Sequence, residues 1–198
     1  MNDFEENFIR IFNSYNHRLR KSINARHLEQ HFSCLGNANY YTYMLVNGEK
    51  LFSLIQNIKK VSHSRIAYIY KKFLKCIFYI GKGTRSRKLL HLQITDSLTI
   101  IKGRKSNRFK AEKILNYWRN GKRISILQLG MDSNHYEALS NEFAAIKAVG
   151  LNQLTNLNNS TPYGDMATKW NTKQIENYGH MLLYSTLINC IYKKPPPF

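Results

Sequence analysis

At 198 residues the chain can hold one domain with a sizeable core and an appended helical segment, and it is too short for two independent catalytic domains. Thirty Lys and Arg against twelve Asp and Glu give a formal charge of +18, which makes a polyanion the natural partner. A hydrophobic fraction of 43% with 13% aromatic residues excludes a basic disordered tail.

In chain order, Phe4, Phe8, Ile11, Phe12 and Tyr15 recur at helical spacing, with Asn2 or Asp3 available as the cap. Asp3, Glu5 and Glu6 precede any apolar run, which suits neither a secretory signal nor an acid-poor transit peptide. A second helix is expected over Ala25 to Leu35, with Leu28 and Phe32 on one side and Gly36-Asn37 at its end. The basic run Arg18, Arg20, Lys21 and Arg26 reads as a solvated face or as a contact to nucleic acid. Residues 1–38 are therefore expected to form a helical extension, 39–165 the core, and 166–198 a C-terminal helix packed on the core with a Pro-rich tail.

Tyr40 to Val46 is a strand by its aromatic and β-branched content, bounded by Asn39 and by Asn47-Gly48. A long connection follows. Within Ser64 to Lys75, Ile66, Ile69, Tyr70, Phe73 and Leu74 fall on one helical face, which argues against reading Tyr68-Ile69-Tyr70 as a strand. Ile77 to Ile80 forms the next strand, and Gly81-Lys82-Gly83-Thr84 is expected to be a basic turn leading into a helix. This is no Walker-type phosphate loop, because the Gly-Lys-Ser/Thr order is absent and Cys76 occupies the place of the upstream glycine. On the following helix Arg87 and His91 are four apart and share a face. His91 is alternatively an ordinary surface histidine.

Lys102 to Lys110 reads as a polar, basic loop before a helix over Ala111 to Arg119, and Asn120-Gly121 as the turn into a third strand, Ile124 to Leu129. From His135 to Val149, Leu139, Phe143, Ile146 and Val149 line a helix face, with Ser133 or Asn134 as the cap. Glu142 lies beside that stripe, either as a metal-binding carboxylate or as a surface partner of Lys147. Met181 to Tyr192 is too short and too interrupted to span a bilayer and reads as a core helix. Three scattered cysteines, Cys34, Cys76 and Cys190, suggest a reducing compartment, hence an intracellular protein of the nucleus or cytoplasm.

Cys76 to His91 resembles the second signature of the GIY-YIG endonucleases, in which a Tyr-Ile-Gly strand precedes an arginine on the next helix. Arg87 is the better match for that arginine, with Arg85 as its rival. Glu142, Ala145, Ala148, Gly150, Leu154-Thr155-Asn156 and Tyr163-Gly164 are similar to the nuclease domain of animal endonucleases that join it to ankyrin repeats and a LEM domain. That family also has a Phe-Thr-Tyr-like strand upstream, matched by Tyr41-Thr42-Tyr43, and a Gly-Lys-Gly-Thr-Arg-x-Arg run followed by histidine. The similarity covers roughly residues 40 to 190. Residues 1–38 do not read as a LEM domain, and there is no room for ankyrin repeats.

The resemblance implies an α+β fold, with a small three-stranded antiparallel sheet flanked by helices. It also implies hydrolysis of DNA, branched or flapped, with one Mg²⁺ or Mn²⁺ ion, no small-molecule cofactor and no membrane, in a setting such as DNA repair. By the same resemblance Glu142 would hold the metal, Tyr43 would orient or deprotonate the attacking water, and Tyr79 would join that hydrogen-bond network. Arg87 would stabilise transition-state charge, His91 would contact phosphate or share a proton, and Asn156 would fix the phosphate or the metal shell. Lys82, Arg85 and Lys88 would contact the nucleic acid. The contrasting expectation is a basic nucleic-acid-binding protein on a degenerate scaffold, against which the retention of both tyrosines, the arginine, Glu142 and Asn156 argues.

Overall fold

The computed structural model describes Arg18 and residues 40–58, 66–84, 108–132 and 134–192. Strand β1 (Tyr40–Asn47) is central, with β2 (Ile77–Thr84) on one side and β3 (Ile124–Asp132) on the other, both antiparallel to it. Helices α1 (Gly48–Ile58) and α2 (Ile66–Leu74) fill the connection from β1 to β2, and α3 (Arg108–Arg119) precedes β3. Then come α4 (His135–Val149), a 3-10 turn (Leu151–Gln153), the short α5 (Asp165–Thr168) and α6 (Thr172–Tyr192). This is the expected α+β class. The helices read over 4–15 and 25–35, the helix carrying Arg87 and His91, and residues 102–107 lie outside the described residues.

Alternation along β1 divides the molecule into two cores. Met44 and Val46 face the larger one, built with Ile80, Ala144, Ala145, Ile146, Tyr178, Leu183 and Leu187 of β2, α4 and α6. Tyr41, Tyr43 and Leu45 face the smaller one, built with Phe78 and with Ile114 of α3. A bulge on β2 sets Leu45 opposite Tyr79 and Val46 opposite Ile77, leaving Phe78 as the extra residue. Phe78 and Tyr79, adjacent in sequence, therefore both pack on the tyrosine side.

Three elements depart from expectation. The strand expected over Ile77 to Ile80 continues to Thr84, because its glycines alternate and keep pairing with β1. The connection after Val46 begins with α1, and Asn47-Gly48, read as a turn, is its cap: the Lys50 amide donates to Asn47 Oδ1 at 3.0 Å. Helix α3 also begins at Arg108, one turn earlier than expected, and so takes in Lys110. The cap of α4 is Asn134, whose side chain accepts from the Tyr136 and Glu137 amides.

Helix α4 is pinned from both sides. Thr42 Oγ1 on β1 donates to the Ala138 carbonyl at 3.2 Å, and the Tyr178 hydroxyl on α6 donates to Asn141 Oδ1 at 2.9 Å. At the crossing of α4 and α6, Gly179 lies so near α4 that a Cβ there would fall 2.0 Å from the Ala144 carbonyl oxygen. Gly179→Ala must push the two helices apart, and a loss of about 1–3 kcal/mol is expected from such overpacking. Urea denaturation reads it as a lower midpoint, and an unchanged midpoint would contradict this account of the crossing.

Candidate active site

The register of β1 and β2 sets Tyr43 opposite Gly81 and Tyr41 opposite Gly83. In both pairs the phenol fills space that a side chain on the glycine would claim. A Cβ at Gly81 would lie 2.9 Å from the Tyr79 hydroxyl oxygen and 3.1 Å from that of Tyr43, and one at Gly83 would lie 2.7 Å from the Tyr41 hydroxyl oxygen. The backbone at Gly81 is thus the floor of a small recess into which two phenol hydroxyls point. Their ring centroids are 6.1 Å apart, and the two hydroxyls share a hydrogen bond.

Burial raises the Tyr43 pKa well above the ordinary phenol value, followed by charge repulsion from Tyr79, the bond to it, and the charges of Tyr41 and Glu142. Tyr79 is raised by burial and by Glu142, with the bond to Tyr43 opposing. Both phenols are therefore neutral at physiological pH, and they act by holding protons in place.

Glu142 sits on α4, two turns from His135 and within electrostatic reach of both tyrosines. Its carboxyl is held above the usual carboxylate range by burial, opposed by the Ser160 hydroxyl and by the charge of Lys82. Ser160 Oγ is shielded from solvent and has no partner of good hydrogen-bond geometry, yet it lies close enough to favour the charged carboxylate. The pair leaves oxygen lone pairs with spare capacity. Lys82 pairs with Thr42 across the sheet and so points to the α4 side. There its ammonium donates to His135 Nδ1 at 3.1 Å. Burial and that same charge hold the His135 pKa below its ordinary value, keeping the ring a neutral acceptor.

The loop after the 3-10 turn closes the outer edge of β2. Phe78 O accepts from the Thr155 amide at 2.7 Å and from its hydroxyl at 2.9 Å. Asn156 straddles Ile80, accepting from its amide at 3.0 Å and donating to its carbonyl at 2.7 Å. This edge would otherwise present unpaired backbone groups. The last clamped residue lies immediately before Gly81.

Of the residues singled out in the sequence, Tyr43 and Tyr79 meet over Gly81, Glu142 is in electrostatic reach of both phenols and of Lys82, and Asn156 holds the strand beside them. Arg85, Arg87, Lys88 and His91 lie outside the described residues. Tyr70 is on α2, where it hydrogen-bonds His180 Nδ1 at 2.8 Å, away from this recess. Lys147, weighed as a partner for Glu142, lies instead over the Phe143 ring at 5.5 Å. Three site neighbours escaped the sequence reading. Ser160 and His135 carry no local signal, while Lys110, buried against Tyr79, was placed in a loop. A cavity of about 690 Å³ between α1 and α2, lined by Lys50, Leu54, Tyr68 and Lys72 among others, contains none of these groups.

Among the described residues no cluster of three or more His, Cys, Asp or Glu forms a ready metal cage. A single carboxylate beside an unsatisfied hydroxyl does fit a hard divalent cation that keeps most of its waters. The raised Glu142 pKa also has a consequence for stability. A carboxyl that is easier to protonate folded than unfolded contributes its full stability below the unfolded value, and that contribution is lost as pH rises through the folded value. Glu142→Gln should therefore raise Tm by a few degrees at pH 7 and leave it nearly unchanged near pH 4, as read by thermal melts. A lower Tm at pH 7 would contradict the assigned direction.

A family model described as the LEM-3-like GIY-YIG domain matches residues 40–194. The ankyrin repeat and LEM domain-containing protein 1 of Mus musculus is 30% identical over 148 residues, which is 75% of this chain and 27% of that protein. Its Homo sapiens counterpart is 29% identical over 118 residues, 59% of this chain and 19% of that protein. The chain thus spans about a quarter or less of these relatives. No solved structure matches it.

Proposed function

The chain belongs to the LEM-3-like GIY-YIG domain family, a nuclease-type family, and on that premise we propose that it is a metal-dependent DNA endonuclease that prefers branched or flapped DNA. The observation that carries this reading is the meeting of the two phenol hydroxyls over Gly81, with the Glu142 carboxylate in electrostatic reach of both. The charge of +18 supports a polyanionic substrate. A DNA substrate sets the protein in the nucleus or cytoplasm, and no helix among the described residues is long and apolar enough to cross a membrane.

In this mechanism Glu142, with the Ser160 hydroxyl beside it, would hold one divalent ion, Mg²⁺ or Mn²⁺. When bound, that ion supplies Lewis-acid stabilisation of phosphate charge. The Tyr43 hydroxyl shares a hydrogen bond with Tyr79 and would orient the attacking water. Its raised pKa makes it a positioning group first, and it takes up a proton only with nearby cations to assist. Lys82, steadied by the neutral His135 ring, meets the scissile strand. Arg87, or its rival Arg85, would meet the charge that develops on the phosphate, and His91 would contact phosphate or share a proton. Asn156 has both amide atoms on the Ile80 backbone and acts as a positioning residue, holding Tyr79 and Gly81 in register.

Cleavage of linear, flapped and four-way DNA with and without Mg²⁺ tests the reading. The expected result is Mg²⁺-dependent cutting near branches, with affinity falling steeply as salt rises. Equal rates on branched and uniform duplex would remove the structural preference. DNA bound but never cut would make the chain a binding protein on a degenerate scaffold.

Two variants separate the roles. Glu142→Gln should abolish cutting and leave DNA affinity nearly intact, since affinity comes mainly from dispersed Lys and Arg contacts. Undiminished turnover would sink the metal assignment. Tyr43→Phe should lower kcat by about 10²-fold or more, while Tyr70→Phe should be close to silent. The reverse order would move the catalytic phenol to α2.

A further inference from the structure

Lys110 is the third residue of α3 and is only 6% exposed. Its ammonium lies 4.4 Å from the centroid of the Tyr79 ring. Lysine is rarely buried this deeply without a carboxylate, because desolvating the charge is costly and the face of an aromatic ring returns only part of that cost. Among the described residues Lys110 has no carboxylate partner. Of the other charges near the recess, Lys82 is engaged with His135. Lys110 approaches Tyr79 from α3, on the opposite side of the sheet from α4, so its charge reaches the recess independently of Glu142 and Lys82.

We propose that Lys110 is a substrate-contacting residue of this site: its ammonium, seated on the Tyr79 ring, pairs with a non-bridging phosphate oxygen of the bound strand beside the bond to be cut. The inference rests on the reading of the recess as a DNA-cleaving site. It names a counter-charge that no carboxylate among the described residues supplies. Burial lowers the Lys110 pKa, and a phosphate arriving beside it restores the charged form, so the contact strengthens as substrate seats. The contact is ionic, so no bond is made or broken at Lys110. It also holds the Tyr79 ring at a fixed angle to Tyr43, which ties substrate seating to the alignment of the two hydroxyls.

The alternative is that the lysine stem merely covers the Phe78–Ile114 cluster, a role that an apolar side chain of equal length would fill. Lys110→Met and Lys110→Arg, made in the full chain, are to be compared on DNA carrying a single neutral methylphosphonate, moved one phosphate at a time past the cleavage point. The expected result is a kcat about 10²-fold lower for Lys110→Met, partly restored in Lys110→Arg, the size of losing one preorganised donor. At one phosphate, neutralisation should slow the unsubstituted protein and leave Lys110→Met no slower than it already is. Full activity of Lys110→Met, or a methylphosphonate penalty that adds to it at every position, would overturn the proposal. Should Lys110→Met fail to fold, as a thermal melt would show, Lys110→Gln is read through the same cycle. If the unsubstituted chain cuts no DNA at all, the nuclease reading falls. The same cycle measured as binding affinity in the Glu142→Gln background, without metal, then decides Lys110 alone: a non-additive pair supports the contact and an additive one overturns it.

Discussion

The pairing of tyrosine on β1 with glycine on β2 is the constraint on which the site depends. Tyr41 over Gly83 and Tyr43 over Gly81 are cross-strand neighbours, and each phenol hydroxyl lies within about 3 Å of where the glycine would carry a Cβ. Any other residue at either glycine would drive a ring out of its place. The same pairing explains why β2 runs on to Thr84: two glycines weaken a strand, and two rings laid across them restore the contact area that side chains would have given. Sheet formation and the gathering of the hydroxyls are therefore one event.

A second constraint aims the carboxylate. Helix α4 touches the sheet through Thr42 and α6 through Asn141, and Gly179 lets the two helices meet backbone to backbone at Ala144. With three contacts on separate turns of α4, its rotation about its own axis is fixed, and with it the direction of Glu142. The outer edge of β2 is held as firmly by Thr155 and Asn156. Each of these bonds contributes only about 1 kcal/mol. Their value lies in locating two ends of one recess, on α4 and on β2, with respect to the central strand.

Much of this was legible in the sequence, because period 2 and period 3.6 leave distinct marks. The strand Ile124 to Leu129, the helix from His135 to Val149 and the helical nature of Tyr70 follow from periodicity, and the strand Tyr40 to Val46 from its aromatic and β-branched content. The extension of β2 was not legible, since Gly-Lys-Gly-Thr has the composition of a turn and only the tyrosines across the sheet make it a strand. Helix α1 could have been found: Leu51, Leu54, Ile55 and Ile58 have helical spacing, but Asn47-Gly48 looked like a turn and drew the boundary. Among the site residues, Tyr43, Tyr79, Lys82 and Glu142 carried a family pattern. His135, Ser160 and Lys110 carried none, because a helix start, a loop serine and one lysine among many acquire meaning only from what they face.

The electrostatics of the recess all lean the same way. Burial raises Glu142, Tyr43 and Tyr79 and lowers Lys110 and His135, so each group is biased toward its neutral form. A site arranged for stability would pair its charges directly, as Arg108 does with Glu112 on the exposed face of α3 at 2.7 Å. Here Glu142 is on α4 and Lys110 on α3, the helices on opposite sides of the sheet, and the two neutral phenols lie on the Lys110 side. Such an arrangement lowers the stability of the empty fold and is relieved by a ligand that carries both signs: a cation at the carboxylate and an anion at the lysine. Under the proposed function, a divalent ion together with a phosphodiester would be such a ligand.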